Sequence, residues 1–215
     1  QIESQLTHYD YRDPVPGLFN RRSLEILLDK EIEAARRSGG LRAVLYVGLR
    51  GLSRVNEVYG HAVGDLILEN TGLRIQRALR AADFVFRFEG DELTGLLTSI
   101  SRSTDAAVVA RKIVEQIAMP YHHPAGDIHV SCSIGVAVFP QDGARGDELI
   151  RNSATAMREA RRRDVGLLLF NSSLHDSAAT RMSLESDMHQ AFGRNEFQLV
   201  FQPIVDMRGR IKGAE

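Results

Sequence analysis

The sequence predicts an α/β (α+β) protein in which a mixed central sheet is flanked by helices. Three observations point there. Short apolar runs alternate with longer stretches whose apolar residues recur at helical spacing. Two of the short runs straddle a polar, glycine-containing turn, a hairpin pattern that makes part of the sheet antiparallel. The chain has 215 residues and is 43% hydrophobic and 26% charged, the composition of a globular protein long enough for one sizeable domain plus a piece of another.

Residues 1 to 12 are polar and read as a connector ending at Arg12-Asp-Pro. From Arg22 to Arg37, Leu24, Leu27, Leu28, Ile32 and Ala35 fall near helical spacing, and Ser38-Gly39-Gly40 ends that helix. Arg42 to Leu49 is a short apolar run that fits a buried strand. Ala62 to Leu79 predicts a long helix with Val63, Ile67, Thr71, Ile75 and Leu79 on one side. The hairpin comprises Phe84 to Phe88, the turn Glu89-Gly-Asp-Glu92, and Leu93 to Leu97. Residues 104 to 118 form a further helix, Ile128 to Phe139 a strand, Gly146 to Arg163 a helix, and Gly166 to Phe170 a last strand. Such an order implies a mixed sheet covered by helices. Beyond it, Thr180 to Phe192 predicts a helix and Phe197 to Val205 a strand, which open a second domain too short to bury a core alone.

The formal net charge of −1 gives no reason to expect a nucleic-acid partner. No apolar run approaches the length of a membrane span, and the first residues do not read as a signal peptide, so a cytoplasmic location is expected, with any membrane anchor of the parent protein outside this chain. Cys132, the one cysteine, sits in an apolar strand and reads as a core thiol.

Four stretches carry a family pattern in correct order. Asp13-Pro-Val-Pro-Gly-Leu-Phe-Asn-Arg21 resembles the D-x-L-T-G-L-x-N-R opening of GGDEF domains. Asn56-Glu-Val-Tyr-Gly-His-Ala-Val-Gly-Asp65 resembles their N-D-x-x-G-H-x-x-G-D stretch. Arg87-Phe-Glu-Gly-Asp-Glu-Leu93 stands where R-x-G-G-D-E-F belongs, and Ser131-Cys-Ser-Ile-Gly-Val136 resembles the later S-x-G-I/V strand. The resemblance is to the diguanylate cyclase family and implies a nucleotidyl-cyclase-like sheet with a ferredoxin-like core over residues 13 to 172. Residues 173 to 215 resemble a linker helix and the start of an EAL phosphodiesterase domain, whose signature would begin at Glu215. The resemblance thus implies a bacterial GGDEF–EAL protein of cyclic di-GMP signalling.

The family joins two GTP molecules held by facing domains, and such phosphoryl transfer needs divalent metal to neutralise and orient the phosphates. The resemblance assigns Asp91 and Glu92 to catalysis and to the metal, with Mg²⁺ as cofactor when GTP is bound and none otherwise. It also exposes departures. The strand acid expected eight residues before Asn56 is Gly48, and the acid often found two residues later is Arg50. Leu52 and Ser53 replace a usual phenylalanine and lysine. Glu89 replaces the first glycine of the turn, leaving Gly90 to approach the phosphates. On the late helix Arg161 fills the position of a phosphate-binding lysine, whereas Val165 falls where an arginine is expected.

Asn56 and Asp65 match the guanine-reading pair, an amide and a carboxylate suited to the mixed donors and acceptors of guanine; both are also residues that cap helices. Arg80-Ala-Ala-Asp83 matches in register the R-x-x-D inhibitory site that binds cyclic di-GMP, and is equally an i,i+3 ion pair at a helix end. Asp91-Glu92 could be a solvated turn, and Arg161-Arg-Arg163 could simply complement a helix dipole. Three functions follow as expectations: a regulatory module binding GTP or cyclic di-GMP ahead of the EAL domain, an active diguanylate cyclase, or a ligand-free dimerisation or spacer domain forming a homodimer.

Overall fold

A computed structural model describes residues 12–174 and 202–214, together with Met188, Ala191, Arg194, Glu196 and Val200. The chain divides into two compact units, Gln1–Leu174 and His175–Glu215.

In the first unit the elements run α1 (Arg21–Ser38), β1 (Leu41–Arg50), α2 (Leu52–Tyr59), α3 (His61–Ala78), β2 (Phe84–Glu89), β3 (Glu92–Ile100), α4 (Ser103–Ala118), β4 (Ser131–Phe139), α5 (Gly146–Arg162) and β5 (Leu167–Leu169). The sheet order is β2-β3-β1-β4-β5. β1 pairs antiparallel with both β3 and β4, and β5 joins β4 in parallel. The first four strands with α3 and α4 have the β-α-β-β-α-β connectivity of a ferredoxin-like core, so the expected mixed sheet flanked by helices is present.

β1 is buried along nearly its whole length, as a central strand covered on both faces must be. Side-chain alternation sorts its residues. Ala43, Leu45, Val47 and Leu49 enter a core with Ile67 and Ile75 of α3 and Ile113 and Ile117 of α4. Val44 packs with Leu24, Leu27 and Leu28 of α1, Phe86, Leu96 and Leu149 of α5. Tyr46 joins Ala154 and Met157, both on α5. Cys132 is buried in β4, in the core position expected of it.

Asn20 starts α1 by accepting from the Ser23 amide, and Gly39, in a left-handed conformation, stops it. α2 escapes sequence reasoning because it has only eight residues, a glycine N-cap and two buried apolar positions, Leu52 and Val55. The strand expected from Ile128 begins instead at Ser131. Ile128 exchanges two backbone hydrogen bonds with Tyr121, which takes residues 121–128 out of the sheet.

In the second unit, β6 (Pro203–Val205) and β7 (Ile211–Ala214) form an antiparallel pair. The expected helix 180–192 and the start of the strand at Phe197 fall largely, and Glu215 wholly, outside the described residues. No helix among the described residues is long and apolar enough to cross a membrane.

Candidate functional site

The site residues converge at the end of β1 because two antiparallel neighbours and one helix meet there. Gly48 lies opposite Glu92 on β3 and opposite Ser133 on β4. The Leu49 amide donates to the Asp91 carbonyl at 3.1 Å, which fastens the hairpin turn to β1. Gly90, at φ 52, supplies the left-handed residue of that turn. Arg87 supports it from outside, its guanidinium donating to the Gly90 carbonyl at 3.1 and 3.3 Å and to Asp13 Oδ1 at 3.1 Å. Glu89 is exposed, directly across from Glu92.

Tyr46, Gly48 and Arg50 share the β1 face covered by α5, and each has a distinct surrounding. A Cβ at position 48 would lie 2.6 Å from Arg161 Nη2 and 2.7 Å from Met157 Sδ. The space of the expected strand carboxylate is therefore filled by a guanidinium and a thioether. Arg161 donates from Nη2 to the Leu49 carbonyl at 3.0 Å and stands 3.8 Å from Asp91 Oδ2. Arg50 is engaged by an ion pair to Asp164. Tyr46 donates its hydroxyl to Glu92 Oε2, and burial, reinforced by that carboxylate, pushes the Tyr46 hydroxyl pKa well above its ordinary range. Glu92 is thus held by β1 rather than presented freely. Tyr46 also lines a cavity of about 490 Å³ with Phe88 and Arg158, and Arg50 one of about 540 Å³ with Arg54 and His129.

Of the basic run on α5, only Arg161 faces this site. Glu159 accepts from Arg162 at 2.5 Å and from Arg163 at 2.7 Å. Those bonds, Arg162's foremost, hold the Glu159 carboxyl at about 2 against an ordinary 4.5. A depressed carboxyl pKa stabilises the fold fully above the unfolded value and ceases to do so as pH falls through the folded one. Glu159→Gln is therefore expected to cost about 0.5–1 kcal/mol at neutral pH, the scale of a partly exposed ion pair. Its stability curve should meet that of the parent as pH falls from 4.5 towards 2. Urea midpoints measured across that range decide the matter, and parallel curves would count against the assignment.

Asn56 and Asp65 do not cap helices, contrary to one sequence expectation. The N-caps of α2 and α3 are Gly51 and Gly60, and neither has a side-chain cap. Asn56 sits in the last turn of α2 with its Oδ1 buried and unpaired. The missing side chain of Gly64 makes room for it, since a Cβ there would lie 1.8 Å from that oxygen. Asp65 is exposed one residue later on α3. A buried acceptor without a donor is uncommon and costly.

Arg80 and Asp83 likewise form no side-chain ion pair at the end of α3. That helix stops at Ala78, and Asp83 instead accepts from the Arg80 amide at 3.1 Å and the Thr98 amide at 3.0 Å. Arg80 and Asp83 both line a cavity of about 200 Å³ with Asp105, Val108 and Val109. Asp91, Glu92 and Arg161 are thus brought together, whereas Arg80 and Asp83 form a separate feature beyond the far end of β2.

Sequence reasoning missed Tyr46, Met157, Glu159 and Asp164, which fix where the charged residues point. For Tyr46 a signal existed: it shares strand parity with Gly48 and Arg50.

Residues 10–165 match the model of the diguanylate cyclase GGDEF domain. The chain belongs to the GGDEF family. This GGDEF domain and the residues after it are 36% identical over 202 residues to the bifunctional diguanylate cyclase/cyclic di-GMP phosphodiesterase MucR of Pseudomonas aeruginosa, covering 94% of this chain and 29% of that protein. They are 28% identical over 204 residues to the cyclic di-GMP phosphodiesterase PdeR of Escherichia coli, covering 94% and 30%. The chain therefore spans about three-tenths of the length of these curated relatives. Among solved structures, the GGDEF domain of YfiN (TpbB) from Pseudomonas aeruginosa superposes with a TM-score of 0.70 at 29% identity, covering 72% of this chain and 98% of that one.

Proposed function

We propose that this GGDEF domain is a regulatory module that binds GTP or cyclic di-GMP with little or no cyclase activity, in the cytoplasmic part of a GGDEF–EAL protein. By this reading residues 13–172 are the GGDEF domain, and residues 173–215 begin an EAL phosphodiesterase domain, the partner that the module tunes. The observation carrying it is the guanidinium of Arg161 in the space left by Gly48, 3.8 Å from Asp91. Mg²⁺, expected with GTP, wants hard oxygen ligands in near-octahedral order. The residues present do not fit it. Position 48 offers no side-chain oxygen, Glu92 is engaged by Tyr46, and Asp91 faces a cation. Among the described residues no three His, Cys, Asp or Glu side chains cluster to hold a metal.

Binding is supported by the parts retained. The unpaired Asn56 Oδ1 is an acceptor suited to a guanine N–H, with Asp65 nearby on the next helix and Gly90 and Arg161 on the phosphate side. For cyclic di-GMP, Arg80 carries guanidinium donors that suit guanine O6 and N7, with the Asp83 carboxylate beside it. Calorimetric titration of each nucleotide against the chain tests the reading. Saturable heat is expected for at least one. Asn56→Ala should weaken GTP by about tenfold or more, and Arg80→Ala cyclic di-GMP similarly, the weight of a lost hydrogen bond to a buried or charged group. Absence of heat for both nucleotides would sink the binding reading and leave a ligand-free dimerisation domain. An active cyclase is the second reading, favoured by the adjacent acids Asp91 and Glu92 at the hairpin turn.

A further inference from the structure

We infer that this pocket takes a guanine nucleoside triphosphate without a divalent cation, the Arg161 guanidinium supplying the positive charge within the protein itself. The inference rests on the nucleotide-binding reading above and specifies the form of the ligand.

The geometry carries it in three steps. First, the guanidinium is seated by the backbone: it donates to the Leu49 carbonyl at 3.0 Å and fills the volume a Gly48 side chain would claim. A divalent cation brought to Asp91 would meet that fixed positive charge. Second, Arg161 is half-open, its side chain 40% exposed beside Asp91 at 39%. One donor is used on Leu49, and the remaining N–H groups of the fork are free to meet phosphate oxygens, a match of shape as well as charge. Arg161 also neutralises Asp91, so incoming phosphates do not face a bare carboxylate. Third, Arg50 and the other two arginines of the run at the end of α5 are committed elsewhere. Arg50 is paired with Asp164, and Arg162 and Arg163 with Glu159. Of these four arginines, Arg161 is the one beside Asp91.

The test is calorimetric titration of GTP into the chain at constant ionic strength, once in EDTA and once in excess Mg²⁺. The two dissociation constants are expected to agree within about twofold, and Arg161→Gln should weaken both by about tenfold or more. Arg161→Lys, which keeps the charge, should recover part of the loss, and thermal melting of each variant reports whether it folds. The comparison on the parent chain needs no variant. GTP binding that is tenfold or more weaker in EDTA overturns the inference while leaving nucleotide binding standing. So does a folded Arg161→Gln variant that binds as the parent does. Failure of GTP to bind in either buffer overturns it as well, and if cyclic di-GMP also fails, the nucleotide-binding reading falls with it.

Discussion

Gly135→Ala is expected to remove about 3 kcal/mol or more of stability from the first unit, the upper end of what overpacking costs. Gly135 lies in the middle of β4 with α5 laid directly upon it. An added Cβ would stand 2.0 Å from the Ser153 carbonyl oxygen and 2.2 Å from the Met157 amide nitrogen. Both obstacles are helix backbone, which cannot swing aside as a flexible side chain can, so α5 would have to lift off the strand. The same helix carries Met157 and Arg161, so the damage should reach the candidate site. For a unit of this size the loss corresponds to a fall of roughly 6–12 °C in melting midpoint. Scanning calorimetry measures it, and a midpoint within about 2 °C of the parent would show that the close approach carries no such cost.

Incubation with GTP and Mg²⁺ is expected to yield cyclic di-GMP at a rate at least about 10³-fold below that of a GGDEF domain with its acids intact, because charge developing in the transition state must be met by groups already in place. Here the strand offers no carboxylate, and the turn acids are engaged by Arg161 and Tyr46. Restoring the acid alone should fail. An aspartate at position 48 would begin with its Cβ 2.6 Å from the Arg161 guanidinium and 2.7 Å from Met157 Sδ. It would pair with the arginine rather than bind metal, and it would also crowd α5. Chromatography of the reaction mixture decides this. Product from the parent chain that disappears in Asp91→Ala would overturn the regulatory reading and establish a working cyclase.

Glu159 and Tyr46 show why this site was only half legible. Motif spacing, which records residue types at fixed intervals, singled out Asp91, Glu92, Asn56, Asp65 and Arg161 as candidates. Spacing does not record which neighbour takes each charge. Three adjacent arginines look alike in sequence; one residue two places before them takes two and leaves the third to the site. The capping reading of Asn56 failed for a related reason. Gly51 and Gly60 begin the two helices, so an amide in the last turn of α2 points instead into the gap left by Gly64.

The sequence by itself determined the elements of the first unit other than α2, their order and the hairpin, because side-chain periodicity and turn chemistry act over a few neighbouring residues. It also determined that the strand lacks an acid at position 48. Only the tertiary structure decided what fills that space. β1, the turn after β2 and the last turn of α5 are far apart along the chain, and their meeting depends on β1 pairing with β3 and β4 while α5 packs across it. Such long-range contacts are set by the packing of the whole core, so the replacement of a carboxylate by a guanidinium becomes visible only once that core is assembled.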